Sequence, residues 1–248
     1  MLRVGLFIPC YVDAFHVEVA VATLELLERF GLDVEYPYDQ TCCGQPMTNT
    51  GCHAESAATE VLFVRNFAPY DYIVSPSGSC THHVRFNLDA VEQTEEVRQV
   101  RGKTFELVEF LHDILKVDTF PWAEFPHKVA LHNNCQALRG LGIASMSELG
   151  AKPFSKPMNL LGKVKGIEFV QLAGPDECCG FSGAFRKSSP KVPCFDDELE
   201  GTFRNSNLRC DLRDADVLET RSIHRSQRRA NGFRARVAGR PHPSTLVI

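Results

Sequence analysis

The chain has 248 residues, 44% apolar and 23% charged, with a net charge of −4 at pH 7. That length can bury one large core or two of about half the size, and so balanced a charge argues against nucleic acid as the main partner. No apolar run reaches the ~20 residues needed to span a bilayer, and the N-terminus lacks the long apolar core and small-residue cleavage site of an export signal, so a cytoplasmic protein with no direct membrane span is expected.

The coarse pattern alternates strand and helix. Arg3 to Pro9 is a β-branched and aromatic run that reads as a buried strand ending at Cys10. From His16 to Phe30 the apolar spacing suits a helix, with Gly31 as its stop. Asp33 to Tyr36 reads as a short strand leading into Thr41-Cys42-Cys43-Gly44-Gln45-Pro46. Glu55 to Phe67 is helical, Tyr72 to Ser75 a strand, and Pro76-Ser77-Gly78-Ser79-Cys80 the loop after it. Thr104 to Leu115 is expected as an amphipathic helix.

After the proline-containing stretch from Val117 to Pro126 the plan restarts. A strand from Lys128 to Leu131 precedes Cys135, and a strand from Ile167 to Leu172 precedes Glu177-Cys178-Cys179-Gly180-Phe181. The fold class expected is α/β, with two pseudo-repeated cysteine-rich units, each a parallel sheet flanked by helices. The first unit occupies residues 1–120 and the second starts within 127–185. Residues 186–248 hold 11 of the chain's 18 arginines, with no acidic residue beyond Glu219 and little periodicity. They read as an atypical, divergent tail: disordered, the product of a frame-shifted coding sequence, or a basic segment for nucleic acid or an acidic partner.

Ten cysteines in such a chain need a reason. A reducing cytosol disfavours structural disulfides, which leaves metal ligation or redox chemistry. Adjacent cysteines rarely bridge each other, but with two distant cysteines they can surround one soft metal centre. In the first set 31 residues separate Cys10 from Cys42 and 36 separate Cys43 from Cys80, so three loops must converge. In an open α/β sheet those loops lie at the C-terminal ends of strands, where ligands bind. Gly44 permits a tight turn and Pro46 stiffens its exit. Gly78 would let backbone amides approach a sulfide. The second set supplies Cys135, Cys178 and Cys179, but no cysteine stands where Cys80 stands in the first. Thiolates serve both iron–sulfur clusters and zinc. Cys52, Cys194 and Cys210 lie outside both sets and read as incidental. His82-His83, just after Cys80, reads as an exposed helix start, or as a pair that could tune or protonate a bound species. His132 and Asp13 neighbour the cysteines without ligand spacing.

The motifs Cys42-Cys43-Gly44-Gln45-Pro46, Pro76-Ser77-Gly78-Ser79-Cys80, Cys135 to Ile143 and Cys178-Cys179-Gly180-Phe181 resemble, in order and spacing, the cysteine-rich-domain iron–sulfur family. Within it the chain is most similar to the lactate utilization protein A family, the iron–sulfur subunits of L-lactate oxidation systems. The glycolate oxidase iron–sulfur subunit and the cysteine-rich subunit of heterodisulfide reductase are more distant. The resemblance implies iron–sulfur clusters held by Cys10, Cys42, Cys43, Cys80, Cys135, Cys178 and Cys179, of four-iron type and, as in the heterodisulfide reductase relative, conceivably non-cubane. It also implies electron transfer from lactate oxidation together with two partner subunits. Two departures stand out: Phe181-Ser182-Gly183 replaces the family's Phe-Gly-Gly, and the last cysteine of the second set is missing.

The closely spaced Cys-x-x-Cys-x-x-Cys pattern of a ferredoxin domain occurs nowhere, so low-potential cubane clusters would come from one of the partners. No Gly-x-Gly-x-x-Gly or phosphate loop is present, which argues against a self-sufficient dehydrogenase. Two other function classes remain open on the residues alone. One is a zinc- or thiol-stabilised binding module; the other is a thiol–disulfide reductase working through Cys42-Cys43.

Overall fold

Four short strands lie parallel in the order β2-β1-β3-β4. They are β1 (Arg3–Leu6), β2 (Asp33–Glu35), β3 (Tyr72–Ser75) and β4 (Thr104–Glu106) in the computed structural model, which describes residues 2–150, 152–172 and 174–177. Register pairs Val4 with both Val34 and Tyr72, and Val74 with Phe105. The central strands β1 and β3 are almost wholly buried, which is why both read as continuous apolar runs.

Between the strands run α1 (Cys10–Phe15), α2 (Val17–Arg29), α3 (Gln45–Asn49), α4 (His53–Phe67), α5 (Gly78–Phe86) and α6 (Glu95–Gly102). After β4 comes a single turn, α7 (Leu107–Glu109), continued as a wider π-type turn over Phe110–Ile114. The fold class is therefore α/β, with a parallel sheet and flanking helices.

The core explains the helices. On α4, Ser56, Glu60, Phe63, Val64 and Phe67 share one face, and all are buried. Phe7, at the exit of β1, meets Phe63 and Phe67 edge to face, with ring centroids 4.9 and 5.6 Å apart. Each such ring removed from water contributes about 1.5–3 kcal/mol.

Three expectations change. The first strand stops at Leu6, and Cys10 opens α1 instead of closing a strand. The loop before Cys80 is shorter, because α5 begins at Gly78. Thr104 to Leu115 is not one helix: Thr104–Glu106 is the fourth strand, drawn from helical periodicity by pairing with β3. The break falls at Glu106, whose carboxylate accepts the Val108 and Glu109 amides while Glu109 accepts the Glu106 amide.

The second sheet is two parallel strands, β5 (Lys128–Ala130) and β6 (Glu168–Val170), with α8 (Lys156–Leu161) on the connection between them. Its α5-facing side carries a π-type turn at Ala137–Leu141. Cys178, Cys179, Cys194, Cys210 and the tail 186–248 lie outside the described residues. Among the described residues no helix is long and apolar enough to cross a membrane.

Candidate metal centre

The C-terminal ends of the strands in the first sheet set the positions of the cysteines. The chain leaves β1 through Phe7-Ile8-Pro9, and the buried Gln40 clamps that exit. Its Oε1 accepts the Ile8 amide at 2.8 Å, and its Nε2 donates to the Leu6 and Pro37 carbonyls at 3.0 and 3.1 Å. One side chain thus ties the segment that presents Cys10 to the segment that leads into Cys42. Nothing in the sequence marked Gln40, because its partners are backbone atoms far away along the chain.

Cys42 and Cys43 precede Gly44, which sits at φ 96°. L-residues with a side chain rarely adopt that conformation, so the turn out of the cysteine pair depends on glycine. Pro46 falls in the first turn of α3, where its missing N–H costs nothing. Cys80 lies in the first turn of α5.

These four thiols lie in series, Cys10 to Cys42 to Cys43 to Cys80, each near enough to the next to bias its ionisation. The charge alternates along it. Cys42 is held well below the usual thiol range, first by the Cys10 and Cys43 thiols that donate to it, and also by the Gly44 amide. Cys80 is lowered by donation from Cys43 and from the Ser77 and Ser79 hydroxyls. Cys10 and Cys43, the donors, are correspondingly raised, and burial adds to the effect. Cys42 is thus poised as a thiolate, the form that binds metal, and Cys80 is biased the same way. None of the four takes part in a disulfide.

Beneath the pair lies a polar cluster inside the core. Ser56, Glu60 and His83 are fully buried. Glu60 accepts from the Ser56 hydroxyl and from the Ala90 amide, both at 2.9 Å. His83 Nε2 stands 3.9 Å from Glu60 Oε1, too far for a hydrogen bond. Burial lowers the His83 pKa to about 4, so the ring is neutral at pH 7. The expectation of an exposed helix start at His82-His83 therefore fails, because α5 turns His83 inward, onto the back of the cysteine turn. The cluster was legible in part: Ser56 and Glu60 interrupt the apolar stripe of α4 at its own spacing.

The donor set fits a sulfur-ligated group. Four thiols neighbour one another in series, with Cys42 and Cys80 biased toward the thiolate. The polar atoms Ser75 Oγ, Thr81 Oγ1 and both His83 ring nitrogens, on the strand and helix flanking the Cys80 loop, have no hydrogen-bond partner. Each orphan of this kind costs about 1–3 kcal/mol unless an acceptor arrives. Among the described residues, however, no group of three or more His, Cys, Asp or Glu side chains is set to hold a single metal ion.

Cys135, half-buried, begins the helical turn after β5. Its neighbourhood meets the first site. Gln45 Nε2 donates to Gln136 Oε1 at 3.0 Å, and a Cβ on Gly78 would fall 2.5 Å from the Ala137 Cβ. Gly78 is thus demanded by this crossing of α5 over Ala137–Leu141. His132 Nε2 contacts the Glu177 carbonyl at 2.8 Å, joining the Cys135 segment to the one leading to Cys178. Exposed Cys52, at the start of α4, stands apart.

The sequence matches the cysteine-rich domain family over residues 4–85 and 129–196, the two segments that carry the two cysteine sets. It is 39% identical over 189 residues to lactate utilization protein A of Geobacillus kaustophilus, covering 74% of each chain. The chain belongs to the lactate utilization protein A family. Lactate utilization protein A of Bacillus subtilis is 37% identical over 188 residues, again 74% of each chain. The Bacillus velezensis protein is 34% identical over 237 residues, 87% of this chain and 95% of the relative. The two matched segments agree with a repeated cysteine-rich unit.

Proposed function

We propose that this protein takes part in lactate utilization as the iron–sulfur electron-transfer subunit of a complex that oxidises L-lactate, or a related 2-hydroxy acid, to the 2-oxo acid. The observation that carries this reading is the series Cys10, Cys42, Cys43 and Cys80 at the C-terminal edge of the sheet, in a chain whose relatives are named for lactate utilization. Oxidation of lactate releases two electrons and two protons. A bound iron–sulfur cluster supplies one-electron acceptance and release. In the first unit Cys10, Cys42, Cys43 and Cys80 hold the cluster, and the Ser77 and Ser79 hydroxyls stabilise charge on Cys80. In the second, Cys135, Cys178 and Cys179 serve the same purpose. Two partner subunits, one with ferredoxin-type clusters, bind the substrate and carry the electrons onward.

The test is the iron, acid-labile sulfide and zinc content of anaerobically purified protein, with its visible and electron paramagnetic resonance spectra. About four irons with matching sulfide per chain is the expected minimum, and about eight corresponds to both sets filled. Zinc without sulfide makes the site a structural module. A second reading, a thiol–disulfide reductase, draws on the thiolate at Cys42 beside the thiol of Cys43. Metal-free protein whose Cys42 alkylates rapidly below pH 7 would establish it.

A further inference from the structure

Among the buried side chains without partners in the described residues, His83 stands out because both of its ring nitrogens are unmatched. It is fully buried, yet neither ring nitrogen has a hydrogen-bond partner. A neutral imidazole always carries one N–H, so at least one donor is orphaned. The Glu60 carboxylate is already engaged by Ser56 and Ala90 and stays 3.9 Å away. The cysteine turn meets the same edge of the ring. A Cβ built on Gly44 would lie 3.4 Å from His83 Nε2, so the backbone immediately after Cys43 rests on the ring, and the Cys42 sulfur feels it electrostatically.

We propose that the His83 ring N–H donates to a sulfur of the cluster held at the Cys42-Cys43 turn and so raises its reduction potential. The inference rests on the iron–sulfur reading above. A hydrogen bond to cluster sulfur stabilises the reduced, more negative state, and is one of the levers a protein has on potential. Gly44, with no side chain of its own, lets the turn come down where His83, Glu60 and Ser56 meet.

The experiment uses the full chain, loaded anaerobically and labelled with 15N-histidine. In wild type, electron spin-echo modulation from one ring nitrogen is expected on the paramagnetic cluster. His83→Leu should abolish that modulation while iron and sulfide stay unchanged. It should also lower the reduced-to-oxidised ratio at the wild-type midpoint about tenfold, equivalent to ~59 mV for one electron. His83→Gln, which keeps an N–H, should recover part of the shift, and a spacer role would not distinguish Gln from Leu. A loaded wild-type protein without ring-nitrogen modulation, or an unchanged potential in a loaded variant, overturns this inference alone. Wild-type protein without iron and sulfide overturns the proposed function, and this inference with it.

Discussion

The two cysteine-rich segments share a motif but not an equal scaffold. Around the first, four parallel strands end side by side, and three of the connections after them bring Cys10, Cys42, Cys43 and Cys80 together. Around the second, the described residues supply two strands and Cys135. A site assembled from distant loops needs neighbouring strand ends to aim those loops at one point, and the first half has them in full. The halves also meet, through Gln45 with Gln136 and through Gly78 on Ala137, so the first site is partly walled by the second segment.

The sharpest way to separate the halves is to remove one sulfur from each. Cys43→Ser should eliminate the iron of the first site, about four atoms per chain by metal analysis. Cys135→Ser should leave that iron in place and reduce only what the second set holds. Equal losses from both variants would mean that the two sets make one site.

Next in size is the crossing between the halves. Gly78→Ala places a methyl 2.5 Å from the Ala137 Cβ, which neither side chain can swing away from. Destabilisation of about 1–3 kcal/mol is expected in denaturant melts, and Ala137→Gly in the same chain should recover much of it, since the two positions touch. Independent effects would refute the contact.

Gly44→Ala stays within the first half. The added Cβ finds ordinary contact distances, 3.4 Å to His83 and 3.5 Å to Glu60 and Ser56. The cost is therefore the left-handed backbone, about 1–2 kcal/mol. A cost above that range would point to a displaced His83.

The smallest effect is a slope. Glu106, buried at the end of β4, is raised by burial from 4.5 to about 7. The folded state therefore holds its proton more tightly than the unfolded chain does. Its contribution is greatest below pH about 4.5 and is lost as pH rises to about 7. Glu106→Gln should flatten the fall in stability across that window, as read by melts at fixed ionic strength.

Strand identity was legible for β1 and β3 because buried parallel strands are short apolar runs, and for the half-exposed β2, β5 and β6 from β-branched or aromatic residues in the strand-then-cysteine order. β4 was not: Thr104-Phe105-Glu106 continues a helical spacing into Leu115, and only its pairing with β3 makes it a strand. Likewise His83 reads as the first turn of an exposed helix until α5 is docked. Its burial depends on which face meets α4 and the cysteine turn.

By itself the sequence determined the chemistry on offer: ten cysteines, two adjacent pairs followed by glycine, and repeated strand-then-cysteine order. Side-chain type and local spacing are properties of the chain, and they survive without a fold. Only the tertiary structure decided which thiols share protons, that Gln40 clamps the exit to Cys10, that Gly78 yields to Ala137, and that His83 lies unpaired behind the pair. Those are contacts across 30 residues or more, or burial of one helix face. No local pattern encodes them, because their energies arise only when distant segments exclude water together.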